Sequence, residues 1–257
     1  MSLPDIAFLF ELAEAAAAET LPRFRSGLVV DNKLAVDFDP VTEADRATER
    51  AITRRIRQRF PDHAILGEEF GASGEGPFRW VIDPIDGTRS FISGIPLWGT
   101  LIGLTVEGRA TMGLMSQPYI GERFWADEAG AFMDGPGGRR PLRTRESRDL
   151  AGSVMFTTAP ENFDAAGKDR FDDLAGRVRL TRYGTDCYAF AMLAAGQIDL
   201  CIESPVQPYD IVALIPIIEG AGGVVTTWEG GRVEDGGSVL AAATPSLHAQ
   251  ALEILNR

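Results

Sequence analysis

The feature that most constrains this chain is a single join. Trp80-Val81-Ile82, three bulky residues of high strand propensity, runs straight into Asp83-Pro84-Ile85-Asp86-Gly87-Thr88. The apolar run reads as a buried strand, so the chain must leave its core and present two carboxylates at once. Pro84 has a preset φ and aims Asp83 and Asp86 from one bend. A bend of this kind can also free the Ile85 carbonyl as a ligand. Gly87 lets the backbone approach an anion closely. Thr88 adds a hydroxyl and an N–H at what reads as a helix start, a natural phosphate seat. Alone, the string is also an ordinary turn, because Asp-Pro and Asp-Gly pairs are common turn formers.

Its company points to chemistry. Gly67-Glu68-Glu69 follows a short strand (Ala64 to Leu66), Asp210 follows Pro208 at a helix start, and Asp45 lies in the first turn of a helix. Strand ends and helix starts are where α/β folds gather ligands. Carboxylates from several such places suit a hard, oxygen-preferring cation such as Mg²⁺ and can bridge two ions. Other phosphate chemistries do not fit. The aspartates are three apart, not the two of a phosphoaspartate motif. Six residues beyond Cys187 and Cys201 stand Leu193 and Gln207, not the arginine a thiol nucleophile needs. There is no glycine-rich lysine loop. His63 and His248 are too few for a histidine cage or nucleophile. Metal-activated water attacking phosphorus remains.

The chain has 257 residues, 45% of them hydrophobic, and a net charge of −12. That charge disfavours nucleic acid and anionic membrane as partners, and it makes bound cations the natural counterweight to a phosphorylated substrate. Pro4 and Asp5 stand where a signal peptide would need basic residues, no apolar stretch reaches membrane-spanning length, and Cys187 and Cys201 read as buried, reduced thiols. The expectation is a soluble cytoplasmic protein.

Along the chain, Ile6 to Phe24 reads as a helix, Gly27 to Pro40 as a polar loop, and Thr42 to Phe60 as a helix with Thr42 and Asp45 in a capping box. Gly71 to Pro77 reads as a loop. Gly99 to Val106 and Ala110 to Met115 read as strands joined by a hairpin at Glu107-Gly108-Arg109, and Glu122 to Ala126 extends the run. Beyond the Gly/Pro-rich stretch 134–139, strands and helices alternate, including helices at Asp186 to Ala195 and Asp210 to Gly220. This predicts an α/β sandwich, divided into an N-terminal α+β subdomain (1–140) carrying most metal ligands and a C-terminal α/β subdomain (141–257) completing the site.

On Val41 to Asp45 (VTEAD), Gly67 to Glu69 (GEE), Asp83 to Thr88 (DPIDGT) and Asp210 to Gly223 (DIVALIPIIEGAGG), the chain resembles the inositol monophosphatase superfamily over nearly its whole length. The resemblance implies a layered αβαβα sandwich, Mg²⁺ dependence and a homodimer acting on a small phosphorylated metabolite. It implies Glu68, Asp83, the Ile85 carbonyl, Asp86 and Asp210 as metal ligands. Thr88, held by Asp45, would position and deprotonate the attacking water with Glu68. Asp86, Gly87, Thr88 and Asp210 would face the phosphate, and Gly184, Thr185, Asp186 and Glu203 the rest of the substrate. The strings Arg89-Ser90-Phe91, Trp98-Gly99-Thr100, Arg182 to Tyr188 and Pro208-Tyr209-Asp210 resemble the histidinol-phosphate phosphatase branch more than the inositol branch, and a carboxylate at Asp186 beside Glu203 suits a cationic leaving group. The alternatives are an inositol-1-phosphate or broad sugar-phosphate phosphatase, and a non-catalytic metal-dependent binding protein.

Several residues carry two readings. Asp186 is a substrate contact, a helix N-cap, or both. Arg89 clamps phosphate or pairs with a surface carboxylate. Lys33 screens phosphate or is solvated. Trp98 and Tyr209 wall the substrate or pack in the core. Cys187 is a buried thiol, and Arg54, Arg55, Arg57 and Arg59 form a solvated helix face.

Overall fold

The computed structural model describes residues 3–27, 30–32 and 40–257; Lys33 lies outside them. Helix α1 (Ile6–Thr20) is capped by Asp5, whose carboxylate accepts the Phe8 N–H at 3.0 Å. Where the sequence reads as a loop, β1 (Val30–Asn32) and β2 (Pro40–Thr42) pair antiparallel. Helix α2 (Glu43–Arg59) has the expected capping box: the Thr42 hydroxyl accepts the Ala44 N–H, and the Thr42 N–H donates to Asp45 Oδ2 at 2.8 Å. Then come β3 (Ala64–Gly67), β4 (Gly71–Ser73), β5 (Phe78–Asp86), the short helix α3 (Thr88–Ile92), β6 (Gly99–Val106), β7 (Arg109–Gln117), β8 (Glu122–Asp127), β9 (Gly130–Asp134) and β10 (Arg140–Pro141). They form an eight-stranded sheet in the order β10-β9-β8-β7-β6-β5-β3-β4, antiparallel except at β3/β5. The expected loop at 71–77 therefore begins with a paired strand. Arg57, read as solvated, ties α2 to it, donating to the His63 carbonyl at 2.7 Å and the Ser73 hydroxyl at 2.6 Å.

The second sheet is assembled from β11 (Val154–Thr157), β12 (Leu180–Tyr183), β13 (Leu200–Val206), β14 (Val224–Thr227) and β15 (Gly237–Ala242) in the order β12-β11-β13-β15-β14. Strand β11 runs parallel to both β12 and β13, so three strands end at one edge. Between them lie α4 (Ala165–Ala175), α5 (Asp186–Ala194), α6 (Pro208–Ile211) and α7 (Leu214–Gly220), and α8 (Pro245–Leu255) closes the chain.

Three apolar clusters define the layers. Leu9, Leu12, Ile52 and Ile56 of α1 and α2 pack on Trp80, Ile102 and Leu114 of the large sheet. Leu101, Met115 and Phe124 on its other face meet Phe190 and Leu193 of α5 and Leu214, Ile217 and Ile218 of α7, which in turn cover Cys201 and Ala241 of the small sheet. Phe171 of α4 and Leu247 and Ile254 of α8 cover that sheet's outer face against Met155, Leu200 and Leu240. The result is the expected αβαβα sandwich, each fully buried large side chain contributing roughly 1.5–3 kcal/mol.

One departure places a functional residue. The expected helix from Asp210 to Gly220 is two helices, α6 and α7. Pro216 explains the break. Six residues inside one long helix it would remove a backbone hydrogen bond, whereas in the first turn of α7 its missing N–H has no intrahelical acceptor to lose. The link at Val212-Ala213 sits on a groove made by Gly103 and Gly113, which face each other across β6 and β7. A Cβ on Gly103 would come within 2.8 Å of Val212, and one on Gly113 would overlap the Ala213 carbonyl. The glycine pair lets the break lie against the sheet, and this sets Asp210 beside the end of β5.

Candidate functional site

The last residues of β5 leave the sheet at a register shift between Asp83 and Asp86. The Asp83 carboxylate accepts the Ile85 N–H at 3.0 Å, closing a turn around Pro84, and Thr100 of β6 donates its hydroxyl to the Pro84 carbonyl at 2.8 Å. Gly87 has φ +84°, the left-handed conformation that a glycine adopts without steric cost, and it starts α3. The Thr88 hydroxyl donates back to the Ile85 carbonyl at 3.0 Å, and not to Asp45 as the resemblance implies, because Asp45 Oδ2 is taken by Thr42 in the α2 capping box. A carbonyl oxygen has two lone pairs, so this leaves one for another partner.

Three carboxylates converge here. One oxygen each from Asp83, Asp86 and Asp210 lie within 4.8 Å of one another. Asp210 is held by the Gln207 N–H at 2.8 Å. Asp86 reaches across the layers to accept the Cys187 N–H at 2.6 Å, in the first turn of α5. Burial, then the neighbouring carboxylates, pushes Asp83 and Asp86 well above the ordinary carboxylate range. Glu68 faces the same cleft, and its charge is among those that raise Asp83. Such crowding is costly without a cation. The donors, carboxylates and a peptide carbonyl, fit a hard divalent ion. Asp45 lies behind them. Its Oδ2 is taken by Thr42, while Oδ1 is buried with no hydrogen-bond partner among the described residues. Burial raises Asp45 to about 6.

The cleft has a volume of about 430 Å³ and is lined by Glu68, Asp83, Ile85, Asp86, Gly87, Thr88, Arg89, Tyr209 and Asp210, with Thr158, Asn162, Asp186 and Gln207 opposite. Asp186 is the notable member. It has φ +43°, a strained conformation for a non-glycine residue that costs of order 1–3 kcal/mol. It does not cap α5, whose cap residue is Thr185. Its carboxylate instead turns toward the β5 turn, accepting the Ser90 hydroxyl at 3.2 Å and lying 3.1 Å from where a Cβ on Gly87 would stand. Burial raises it to about 6, opposed by the Ser90 hydrogen bond and the charge of Arg89.

The other residues expected to contact substrate divide. Arg89 and Tyr209 reach the cleft. Gly184, Thr185 and Glu203 are not among the residues that line it. Gly184 donates its N–H to the Thr158 carbonyl at 2.8 Å, and Thr185 is buried. Glu203 lies behind Thr158, accepting its N–H at 2.6 Å and its hydroxyl at 2.9 Å. Burial raises Glu203 to about 8, against those hydrogen bonds. Trp98 belongs to the core with Phe24 and Phe91. Cys187 and Cys201 are buried thiols whose pKa burial pushes upward. Thr158 and Asn162 were not legible as site residues. The available signal was topological: both follow β11, the middle of three parallel strands whose ends open at one crevice.

Comparison with known proteins places the whole chain and its fold. The model of the inositol monophosphatase family matches residues 3–257. A bifunctional phosphatase, IMPL2, chloroplastic, of Arabidopsis thaliana is 39% identical over 95% of this chain and 72% of its own length. A histidinol-phosphatase of Chlorobaculum parvum is 39% identical over 93% and 92%. Among solved structures, an inositol monophosphatase from Zymomonas mobilis superposes with a TM-score of 0.88 at 36% identity over 98% of both chains. Among the described residues, no helix is long and apolar enough to cross a membrane.

Proposed function

The chain belongs to the inositol monophosphatase family and is a phosphomonoesterase, and from that premise we propose that it hydrolyses L-histidinol phosphate to L-histidinol and phosphate, a late step of histidine biosynthesis, with Mg²⁺ as cofactor. The observation that carries this reading is Asp186. A strained, partly desolvated carboxylate beside Gly87, at the edge of the phosphate seat, suits the ammonium group of histidinol phosphate and has no counterpart in a neutral polyol. The histidinol-phosphatase relative supports the same reading.

In this mechanism Glu68, Asp83, the Ile85 carbonyl, Asp86 and Asp210 would hold the cations. When bound, Mg²⁺ neutralises charge on the phosphoryl and leaving oxygens and lowers the pKa of a coordinated water. The Gly87 and Thr88 peptides seat the phosphate. Glu68 and Thr88 orient the water for in-line attack and Glu68 accepts its proton, with Asp45 behind them; the bond from phosphorus to the ester oxygen breaks as the new P–O bond forms, and the leaving alkoxide takes a proton from solvent water. Asp186 holds the leaving group's ammonium so that the ester oxygen lies in line. The reading also makes the enzyme a homodimer, as the family resemblance implies, and places it in the cytoplasm.

A second reading, an inositol-1-phosphate or sugar-phosphate phosphatase, is favoured by the Zymomonas relative and by the neutral hydroxyl and amide of Thr158 and Asn162, which suit a polyol. A panel of phosphate esters separates the two. The proposal expects kcat/KM for L-histidinol phosphate to exceed that for inositol-1-phosphate and sugar phosphates at least tenfold, the scale of one charge-assisted hydrogen bond. Equal turnover across the panel sinks it.

A further inference from the structure

Glu49 sits one turn beyond Asp45 on α2 and is almost wholly buried. Its carboxylate meets no arginine or lysine among the hydrogen bonds and ion pairs of the described residues. It accepts instead two successive backbone N–H groups of one loop: Oε2 takes Glu69 at 2.7 Å and Oε1 takes Phe70 at 3.1 Å. The loop closes over it because residue 67 is glycine; a Cβ there would overlap the carboxylate itself. On the other side of Glu68, its own N–H donates to the Ile82 carbonyl at 3.1 Å, one residue before Asp83. The peptide that carries Glu68 is thus held from two directions, by β5 and by a carboxylate on α2.

A buried carboxylate is costly, and here two charge-assisted hydrogen bonds offset only part of the cost, burial still raising Glu49 to about 7. A neutral side chain would fill the same space without the desolvation penalty, so packing alone does not explain a glutamate. What only a carboxylate does is offer acceptors on both oxygens. A glutamine would accept one N–H and turn its own NH₂ against the other.

We propose that Glu49 is a positioning residue for the reaction: by clasping the Glu69 and Phe70 amides in the space left by Gly67, it fixes the backbone of Glu68 and so the direction in which Glu68 meets the cation and the water. This rests on the role of Glu68 given above. Glu49 touches neither substrate nor cation. The device resembles the partners that orient metal ligands from behind, whose loss costs roughly 10–100-fold in metal affinity or activity.

The test uses the full-length protein with Glu49→Gln and Gly67→Ala, the second displacing the carboxylate without changing it. Three quantities are read: amide hydrogen exchange at Glu69 and Phe70, Mg²⁺ affinity by calorimetry without substrate, and steady-state kinetics. The proposal expects faster exchange at those two amides, Mg²⁺ affinity weakened roughly 10–100-fold, and a loss in kcat with KM little changed, in protein whose circular dichroism is that of the wild type. Wild-type Mg²⁺ affinity and kcat in a folded Glu49→Gln overturns it, as does a loss of activity that only follows the fraction unfolded. Glu68→Gln separates this inference from the reading beneath it. If Glu68→Gln weakens Mg²⁺ binding and Glu49→Gln does not, only the clasp is wrong; if Glu68→Gln changes nothing, both fall.

Discussion

At one end of the cleft, Asp83, Asp86 and Asp210 crowd one another, and burial and mutual repulsion push Asp83 and Asp86 far above their ordinary range. On the α5 side, Asp186 at the cleft wall accepts the Ser90 hydroxyl, and Glu203, behind Thr158 and outside the cleft, accepts from Thr157 and Thr158. The first end is built to be completed by something positive. The second is largely complete already and offers shape and a single negative charge. In the proposed reading, the chemistry belongs to the crowded end and the choice of leaving group to the satisfied end. The two are joined at the start of α5, where the Cys187 N–H donates to Asp86 and Asp186 accepts the Ser90 hydroxyl beside Gly87.

The largest way to break this division is Asp83→Asn. We expect it to lower kcat/KM at least 10²–10³-fold, the scale of losing a group that stabilises transition-state charge. It also tests whether the crowding is what Mg²⁺ relieves. In wild-type protein, Mg²⁺ at about 100 times its Kd raises stability by about 2.7 kcal/mol, seen as a rise in Tm. Asp83→Asn shows little of that rise. Full activity, or an undiminished Tm response, contradicts the assignment.

A smaller effect comes from beneath Asp210. Gly113→Ala forces the Ala213 carbonyl off the sheet, at a cost of about 1–3 kcal/mol. It also draws Asp210 from its partners, so the Tm response to Mg²⁺ shrinks while the Asp186 end is unmoved. Denaturant unfolding with and without Mg²⁺ measures both. A wild-type response despite the loss of stability detaches Asp210 from the cluster.

The smallest effect concerns Glu203. Its carboxyl has an ordinary value of 4.5 and is raised to about 8 by burial. The folded state therefore holds the proton more tightly than the unfolded chain. The stability this contributes is present below about pH 4.5 and is lost as pH rises through about 8. Asp45, Glu49 and Asp186 slope the same way. Glu203→Gln should reduce the fall in metal-free stability between about pH 5 and 8 without abolishing it. An unchanged slope removes Glu203 from the account.

The two ends also differ in how far the sequence revealed them. The crowded end was legible because its determinants are local: an apolar run, a proline-stiffened turn, a left-handed glycine, and a capping box at Thr42 and Asp45. Asp210 was legible as a residue but not in its setting, since Pro216 as a first-turn proline and the Gly103–Gly113 groove have meaning only once β6 and β7 pair. Strands β1, β2, β4, β9 and β10 were missed for a related reason. They are two to five residues long, too short to show an alternating pattern of their own, and each is defined by pairing with its neighbour along the chain. At the satisfied end, Thr158 and Asn162 carry no motif at all, and Glu203 was placed on the substrate when it stands behind Thr158. Asp186 alone was visible there: the structure puts it in the first turn of α5, after Thr185, which makes no side-chain cap, and turns its charge toward the cleft.

The division is tested most directly by the ratio of kcat/KM for L-histidinol phosphate to that for inositol-1-phosphate, measured in wild type and in Asp186→Asn. A charge that only selects the leaving group predicts a collapse of the ratio about tenfold or more, with turnover of inositol-1-phosphate nearly untouched. If Asp186→Asn slows both esters equally and leaves the ratio where it was, Asp186 belongs to the chemistry, and the separation of the two ends is wrong.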